Sequence, residues 1–323
     1  MSMELYPLIF EPILKDRIWG GTKLRDNLGK QNLPTETTGE SWELSAVQGD
    51  VSIVNNGPYK GKPLTELLDS FPQELLGTKV YSRFGKQFPL LFKFLDARED
   101  LSIQVHPNDE LAKQRHNSFG KTEMWYVMQA DTDARIIVGF KKKSSPEEYL
   151  EHLQNKNLIE ILNEVKVKKG DVFFLETGTI HAIGAGIVIA EIQQTSDITY
   201  RIYDWDRVDA NGKSRELHVE QALDAMNYNT TDTQKQYTTE ENKSNPMVDC
   251  PYFTTNYLPI NGNASIEKDG GSFSVYICTE GEYTIQLEGK SHNFKKGDTI
   301  LVPAAVKAFT LNGNATLLEI YIS

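Results

Sequence analysis

The chain of 323 residues has only two cysteines, Cys250 and Cys278, far apart and without a CxxC pair. A disulfide framework or a cysteine-ligated zinc site needs more thiols at closer spacing, so neither organises this fold. Long hydrophobic runs are also missing. The longest candidate, Phe88 to Leu95, is broken by Pro89 and Lys93 and falls well short of the ~18 apolar residues of a membrane span. The segment Met1 to Pro7 carries neither a basic stretch nor an apolar run, so no secretory leader is expected there. Positive charge is short as well: 34 Lys and Arg against 45 Asp and Glu give a net charge of −11. Non-specific nucleic-acid binding needs a basic footprint, so nucleic acid is not an expected partner. A phosphorylated small substrate stays open, because a few local cations outweigh global charge near a site. These absences describe a soluble cytoplasmic protein with no membrane partner. At ~150 residues per domain, the length suggests two domains or one with a large insertion.

What the sequence does have is strand signal. Leu101 to His106 and Phe273 to Ile277 alternate apolar and polar, and Val165-Lys166-Val167 enters a turn that Val172 to Leu175 leaves. Short strands punctuated by Gly and Asp favour a sandwich or a barrel of the jelly-roll kind. Helical pattern is confined to a few places. Pro146 to Glu164 predicts a helix with Ser145 as N-cap and Pro146 in the first turn. Shorter helices are expected over Val219 to Met226 and Leu64 to Asp69, and residues 229–247, polar and poor in core residues, read as a linker or surface excursion. The run Lys168-Lys169-Gly170-Asp171 and its following apolar strand are echoed by Lys295-Lys296-Gly297-Asp298 and the strand after it. A duplicated β-barrel is the economical explanation.

Gln104 and His106 are two apart on an expected strand and share a face. Pro107 ends that strand, which puts His106 near a barrel mouth. Glu123 begins the next strong strand, and His181 follows ten residues after Asp171. Two imidazoles, a carboxylate and an amide oxygen form a divalent-metal shell suited to zinc and its neighbours, with a position left for substrate or water. His116, His152, His218 and His292 lie in polar, helical or turn contexts and read as surface or structural. Two other motifs fail. Gly184-Ala185-Gly186 has Ile189 where a dinucleotide fingerprint needs its third glycine, and Gly120-Lys121-Thr122 has Arg115 where a phosphate loop would begin with glycine.

Several blocks of the sequence resemble type I mannose-6-phosphate isomerase of the cupin superfamily, in its compact bacterial form. They are Ile18-Trp19-Gly20-Gly21, Phe88 to Lys93, Leu101 to Pro107, Lys121 to Tyr126, Gly178 to Ala182, and Gln194 to Asp197 followed by Arg201. The resemblance implies a mainly β double cupin of two jelly-roll barrels with a small helical insertion near 145–165. It places a catalytic domain over 1–245 and a cupin-like domain over 246–323, the latter expected to be metal-free because no His-x-His or Glu–His set follows residue 247. It also implies one zinc ion per chain on Gln104, His106, Glu123 and His181, catalytic roles for Arg201 and Glu191, and substrate contacts from Lys121, Asp197 and Trp19. The implied activity is interconversion of mannose 6-phosphate and fructose 6-phosphate through an enediol-type intermediate, by a monomer or homodimer.

Read from the residues alone, these positions keep other meanings. Alternation in Ile187 to Ile192 sends Glu191 either to solvent or into a barrel mouth. Lys121 fits a solvated turn or a phosphate partner, Arg201 a surface ion pair or a stabiliser of developing charge, and Trp19 ordinary packing or a pocket lip. Which group acts as base stays open. A mononuclear iron oxygenase would use the same two histidines and glutamate, and a sugar-responsive cupin would bind ligand without turnover.

Overall fold

The computed structural model describes residues 3–209 and 211–323. Its architecture follows from strands that are apolar on both sides. In Leu90–Ala97, successive side chains point to opposite faces: Phe92 and Phe94 enter one core, while Leu95 enters another. Glu123–Ala130 and Ile187–Gln194 divide in the same way, with Met124, Tyr126, Val188 and Ile192 on the first side and Trp125, Val127 and Ile189 on the second. Such strands are stable only in the middle of a layered structure.

These three strands are the centre of a seven-stranded sheet with spatial order Gln234–Lys235, Val172–Leu175, Glu123–Ala130, Ile187–Gln194, Leu90–Ala97, Thr38–Leu44, Ile13–Gly21. A five-stranded sheet, ordered Leu162–Lys166, Arg135–Phe140, His181–Ile183, Ile103–Val105, Tyr200–Tyr203, covers one face. Ile136, Val138 and Ile183 of this cover meet Trp125, Val127 and Ile189 across the shared core. The opposite face packs against helices Leu64–Ser70, Pro72–Leu76 and Thr78–Phe84 and against a third sheet built on Thr254–Glu267, Ser274–Leu287 and Ala308–Tyr321. The short strand Leu8–Ile9 joins that third sheet by pairing with Leu301 and Ile300. The chain is thus mainly β, as expected. Among the described residues no sheet closes on itself: the end strands of each pair on one side only, so the two jelly-roll barrels expected from the sequence are not confirmed as barrels.

The internal echo is a repeated piece of structure. Gly170 and Gly297 both take left-handed conformations, with φ of +90° and +88°, which a residue with a Cβ adopts only under strain. Asp171 Oδ2 accepts from the Lys168 N–H and Asp298 Oδ2 from the Lys295 N–H, each at 2.8 Å. Each corner then docks on a strand through the same pair of backbone bonds. Gly170 N–H donates to Val127 and the Asp171 carbonyl receives from it, and Gly297 and Asp298 do the same with Cys278, all at 2.9 Å.

Two further expectations need correction, and some helices were not expected. The long helix from Pro146 ends at Gln154, where Lys156 turns to φ +58°; a 3-10 turn over Leu158–Ile161 follows, and Leu162–Lys166 is strand. Leu158 and Leu162 serve the same core as Tyr149 without continuing its helix. Residues 229–247 are no free linker: Gln234–Lys235 pairs with Val172 and Phe173, and Asn245–Asp249 begins the third sheet. Helices Pro72–Leu76, Thr78–Phe84 and Asp109–His116 were not anticipated; the last is capped by Asn108, whose side chain accepts the Leu111 N–H.

Candidate metal centre and cavity

The inward face of the seven-stranded sheet changes character along its length. Ile189 and Val127 pack in hydrocarbon, but two residues further on the same side come Glu191 and Trp125, then Gln193 and Glu123, each pair directly opposed. Lys93 faces Glu191 from the other neighbouring strand. The alternation that sequence left undecided therefore sends Glu191 inward, where it is 3% exposed. The covering sheet supplies the rest. Gln104 stands opposite His181 on one side and Arg201 on the other, and His106 follows Gln104 just past the strand end.

His106, Glu123 and His181 are all buried, with one ligand atom from each lying within 4.8 Å of the other two. Glu123 Oε2 is 3.5 Å from His106 Nε2, and Oε1 is 3.4 Å from His181 Nε2. The far nitrogen of each ring is tied to backbone: His106 Nδ1 donates to the Ile198 carbonyl and His181 Nδ1 to the Thr179 carbonyl, both at 2.8 Å. That fixes the tautomer and turns each Nε2 lone pair towards Glu123, the usual backing of a metal-bound histidine. The Gln104 amide lies 3.2 Å from His181 Nε2.

Burial and charge set the protonation states. Burial, followed by the cation of Lys121, holds His106 well below the ordinary imidazole range; burial likewise brings His181 to about 4, so both rings are neutral. Burial raises Glu123 to about 7 against the pull of Lys121. Glu191 is equally buried, but Lys121 and Lys93 outweigh the burial and keep its carboxyl below the usual value. Two carboxyls a short distance apart are thereby driven in opposite directions.

These residues fit a divalent metal ion. Among the described residues, neither oxygen of the buried Glu123 accepts a well-aligned hydrogen bond. A cation has already been drawn in: the Lys121 ammonium sits 3.0 Å from Glu123 Oε2 and 3.1 Å from His106 Nε2. Two neutral imidazoles and a carboxylate are the donor set of zinc and other transition metals. The buried group can hold a metal.

Above it opens a cavity of about 570 Å³ lined by Trp19, Gln104, Lys121, Glu191, Asp197 and Arg201. The six sequence candidates outside the His106–Glu123–His181 trio thus line one cavity, and Gln104 and Lys121 also reach the trio. Trp19 is 4% exposed and packs close to Gly39, where an added Cβ would come within 2.7 Å of its ring. Glu191 is held by Lys93 Nζ at 3.2 Å and Trp125 Nε1 at 3.1 Å. Arg201 Nη1 donates to the Glu216 carbonyl at 3.0 Å, and among the described residues its buried Nε has no hydrogen-bond partner. Asp197 is exposed at the rim.

The sequence reading missed other lining groups. Lys15, Arg17 and Arg215 add positive charge. Lys93 is a lysine inside an apolar run, a pattern that signals a buried partner. His218, set aside as surface or structural, borders the cavity and accepts the Arg201 backbone N–H at 3.1 Å.

Comparison with known proteins assigns the chain to a family. Residues 8–142 match the family described as phosphomannose isomerase type I, catalytic domain, and residues 243–322 the mannose-6-phosphate isomerase cupin domain. A mannose-6-phosphate isomerase of Bacillus subtilis (strain 168) is 41% identical over 317 residues, covering 97% of this chain and 98% of that protein. One from Streptococcus mutans is 38% identical over 315 residues, covering 97% of each. The crystal structure of the mannose 6-phosphate isomerase from Bacillus subtilis superposes with a TM-score of 0.90 at 38% identity, over 98% of this chain and 99% of that one. No helix among the described residues is long and apolar enough to cross a membrane. With near-full-length relatives at this identity, the chain belongs to the type I phosphomannose isomerase family.

Proposed function

We propose that the chain interconverts mannose 6-phosphate and fructose 6-phosphate, using one zinc ion held by His106, Glu123, His181 and Gln104. The observation that carries this reading is a buried, neutral-imidazole and carboxylate trio beneath a polar cavity edged with cations. For Gln104 to serve as fourth donor its amide must present oxygen, which a half-turn about its last torsion brings to the place of its nitrogen. When bound, the ion supplies a Lewis acid that stabilises negative charge on a sugar oxygen.

The chain's own groups do the rest. Isomerisation moves a proton between adjacent carbons through an enediol-type intermediate, so a base must take it and return it. Glu191 is held ionised by Lys93 and Lys121, which suits it to accept that proton; such help is typically worth ~10²–10⁴-fold. Lys121 donates to a substrate oxygen. Arg201 stays charged at any relevant pH and stabilises the developing anion or the phosphate. Arg17, Lys15 and Arg215 make the rim favourable to a phosphate dianion, Asp197 orients sugar hydroxyls, and Trp19 supplies a flat apolar wall. We read residues 1–245 as the catalytic unit and 246–323 as a metal-free cupin-like unit, both being opened jelly rolls.

A coupled assay of mannose 6-phosphate turnover, before and after chelation and with metal content read on the same sample, tests this. Turnover lost on chelation and restored by zinc is the expected result. No turnover with one bound iron per chain would replace the reading by an oxygenase, and sugar binding without turnover by a sensor.

A further inference from the structure

Three successive backbone N–H groups hold the turn on which Lys121 stands. Gly120 N–H donates to Asp109 Oδ1 at 2.8 Å, Lys121 N–H to the Pro107 carbonyl at 3.2 Å, and Thr122 N–H to Gln194 Oε1 at 2.9 Å. The turn also lies tight against the start of the helix Asp109–His116, where a Cβ on Gly120 would come within 2.7 Å of the Asp109 backbone nitrogen. Lys121 is 4% exposed, and its ammonium reaches Glu123 and His106. Where the turn is held therefore sets where the ammonium lies.

Asp109 gathers these contacts. Its Oδ1 accepts from Gly120 N–H and from Gln194 Nε2, the latter at 2.9 Å, and its Oδ2 accepts from the Tyr252 hydroxyl at 2.8 Å. The Gln194 amide has only one orientation here, because Thr122 N–H must meet its oxygen and so leaves the NH2 for Asp109. An aspartate in the first turn of a helix has a bland explanation, since it complements the helix dipole. Both of its oxygens, however, are directed away from that helix, which Asn108 caps. Tyr252 lies 143 residues further along the chain, in the loop between Asn245–Asp249 and Thr254–Glu267 of the third sheet. Burial and the Asp109 carboxylate push its hydroxyl up to about 12, so it stays a donor. Asp109, Gln194 and Tyr252 line a separate cavity of about 1180 Å³, and none of them lines the one above the metal trio. Any effect they have on the reaction passes through Lys121.

We infer, resting on the isomerase reading in which Lys121 donates to a substrate oxygen, that Asp109 is a positioning residue for Lys121 and that Tyr252 couples the third sheet to it. In that role the ammonium must lie within hydrogen-bond reach of an oxygen on which charge develops. A shift of the turn weakens this contact most in the transition state, where the charge is largest. The third sheet thereby takes part in the reaction without touching the substrate.

Steady-state kinetics of the metal-loaded full chain with mannose 6-phosphate test this, with metal content and melting temperature read on each preparation. Asp109→Ala should keep its metal and lower kcat by ~10–100-fold, the size of a positioning loss, while KM moves by less than about threefold. Asp109→Asn keeps an oxygen for Gly120 and Gln194 and should hold kcat within about threefold of the parent. Tyr252→Phe should lower kcat by at least about threefold, and less than Asp109→Ala does. In the Lys121→Ala background, Asp109→Ala should cost nothing further, whereas a general loosening of the fold would lower the residual rate again. If Asp109→Ala fails to fold, Tyr252→Phe carries the same cycle. A kcat for Asp109→Ala within about threefold of the parent, or an equal loss with and without Lys121, would overturn the inference and leave the isomerase reading standing. No turnover by the parent, or no loss on Lys121→Ala, would overturn that reading of Lys121 and the inference with it.

Discussion

Lys93 and Glu191 face each other on adjacent strands with Nζ and Oε1 3.2 Å apart, their side chains 7% and 4% exposed. A pair this enclosed contributes little net stability as a pair, yet removing one partner strands the other's charge in a poor solvent. Lys93→Met should therefore destabilise by about 3–5 kcal/mol in denaturant unfolding. The double variant Lys93→Met with Glu191→Leu should recover much of that loss. A single-variant cost below about 1 kcal/mol would show that Lys121 alone is sufficient for Glu191.

His181→Ala removes one of three donors whose ligand atoms lie within 4.8 Å of one another. It should lose bound metal and turnover together, read by metal analysis and the coupled assay on the same preparation. Full activity in this variant would sink the site assignment.

Arg201 lies outside the trio but on the cavity wall. Arg201→Ala should keep its metal and lose most turnover, by ~10²–10³-fold if it stabilises charge as one preorganised donor. A kcat within about threefold of the parent, far short of that loss, would make the guanidinium structural.

Glu40 gives a pH-dependent signature. Burial works against its charge, but Lys93 and Arg17 outweigh it and bring its carboxyl down to about 2. A folded-state value below the unfolded one means stability that is present above the unfolded pKa and lost as pH falls towards the folded pKa. The stability advantage of the parent over Glu40→Gln should thus shrink by about 3 kcal/mol from pH 5 down to pH 2. Parallel denaturant titrations of the two proteins across that range would show it; a pH-independent difference would contradict the pairing.

The sequence showed most where chemistry and periodicity coincide. Gln104 and His106 at alternate positions, Glu123 opening a strand and His181 after the Gly-Asp corner are local patterns, and the structure brings them together. The two corners were readable because glycine at a left-handed position, followed by aspartate, is required by the turn itself. Cavity neighbours such as Arg17, Arg215 and His218 were not readable, because each arrives from a distant strand or loop and carries no local mark. The helix from Pro146 was read too long because Leu158 and Leu162 keep an apolar spacing that a turn and a strand satisfy equally well. Barrel closure was not readable for a similar reason: alternation reveals which face is buried and is silent on whether the end strands meet.

The middle sheet has a consequence for assembly. Its strands carry hydrocarbon on both sides for most of their length, so hydrophobicity alone would tolerate a slip of one residue between neighbours. Such a slip exchanges Glu191 with Ala190 and thrusts a carboxylate among Phe92, Phe94 and Met124. Lys93 and Glu123 impose the same penalty on their own strands. The groups assigned to chemistry thereby proofread strand alignment, and variants that neutralise several of them at once should fold into mixed registers before they lose compactness.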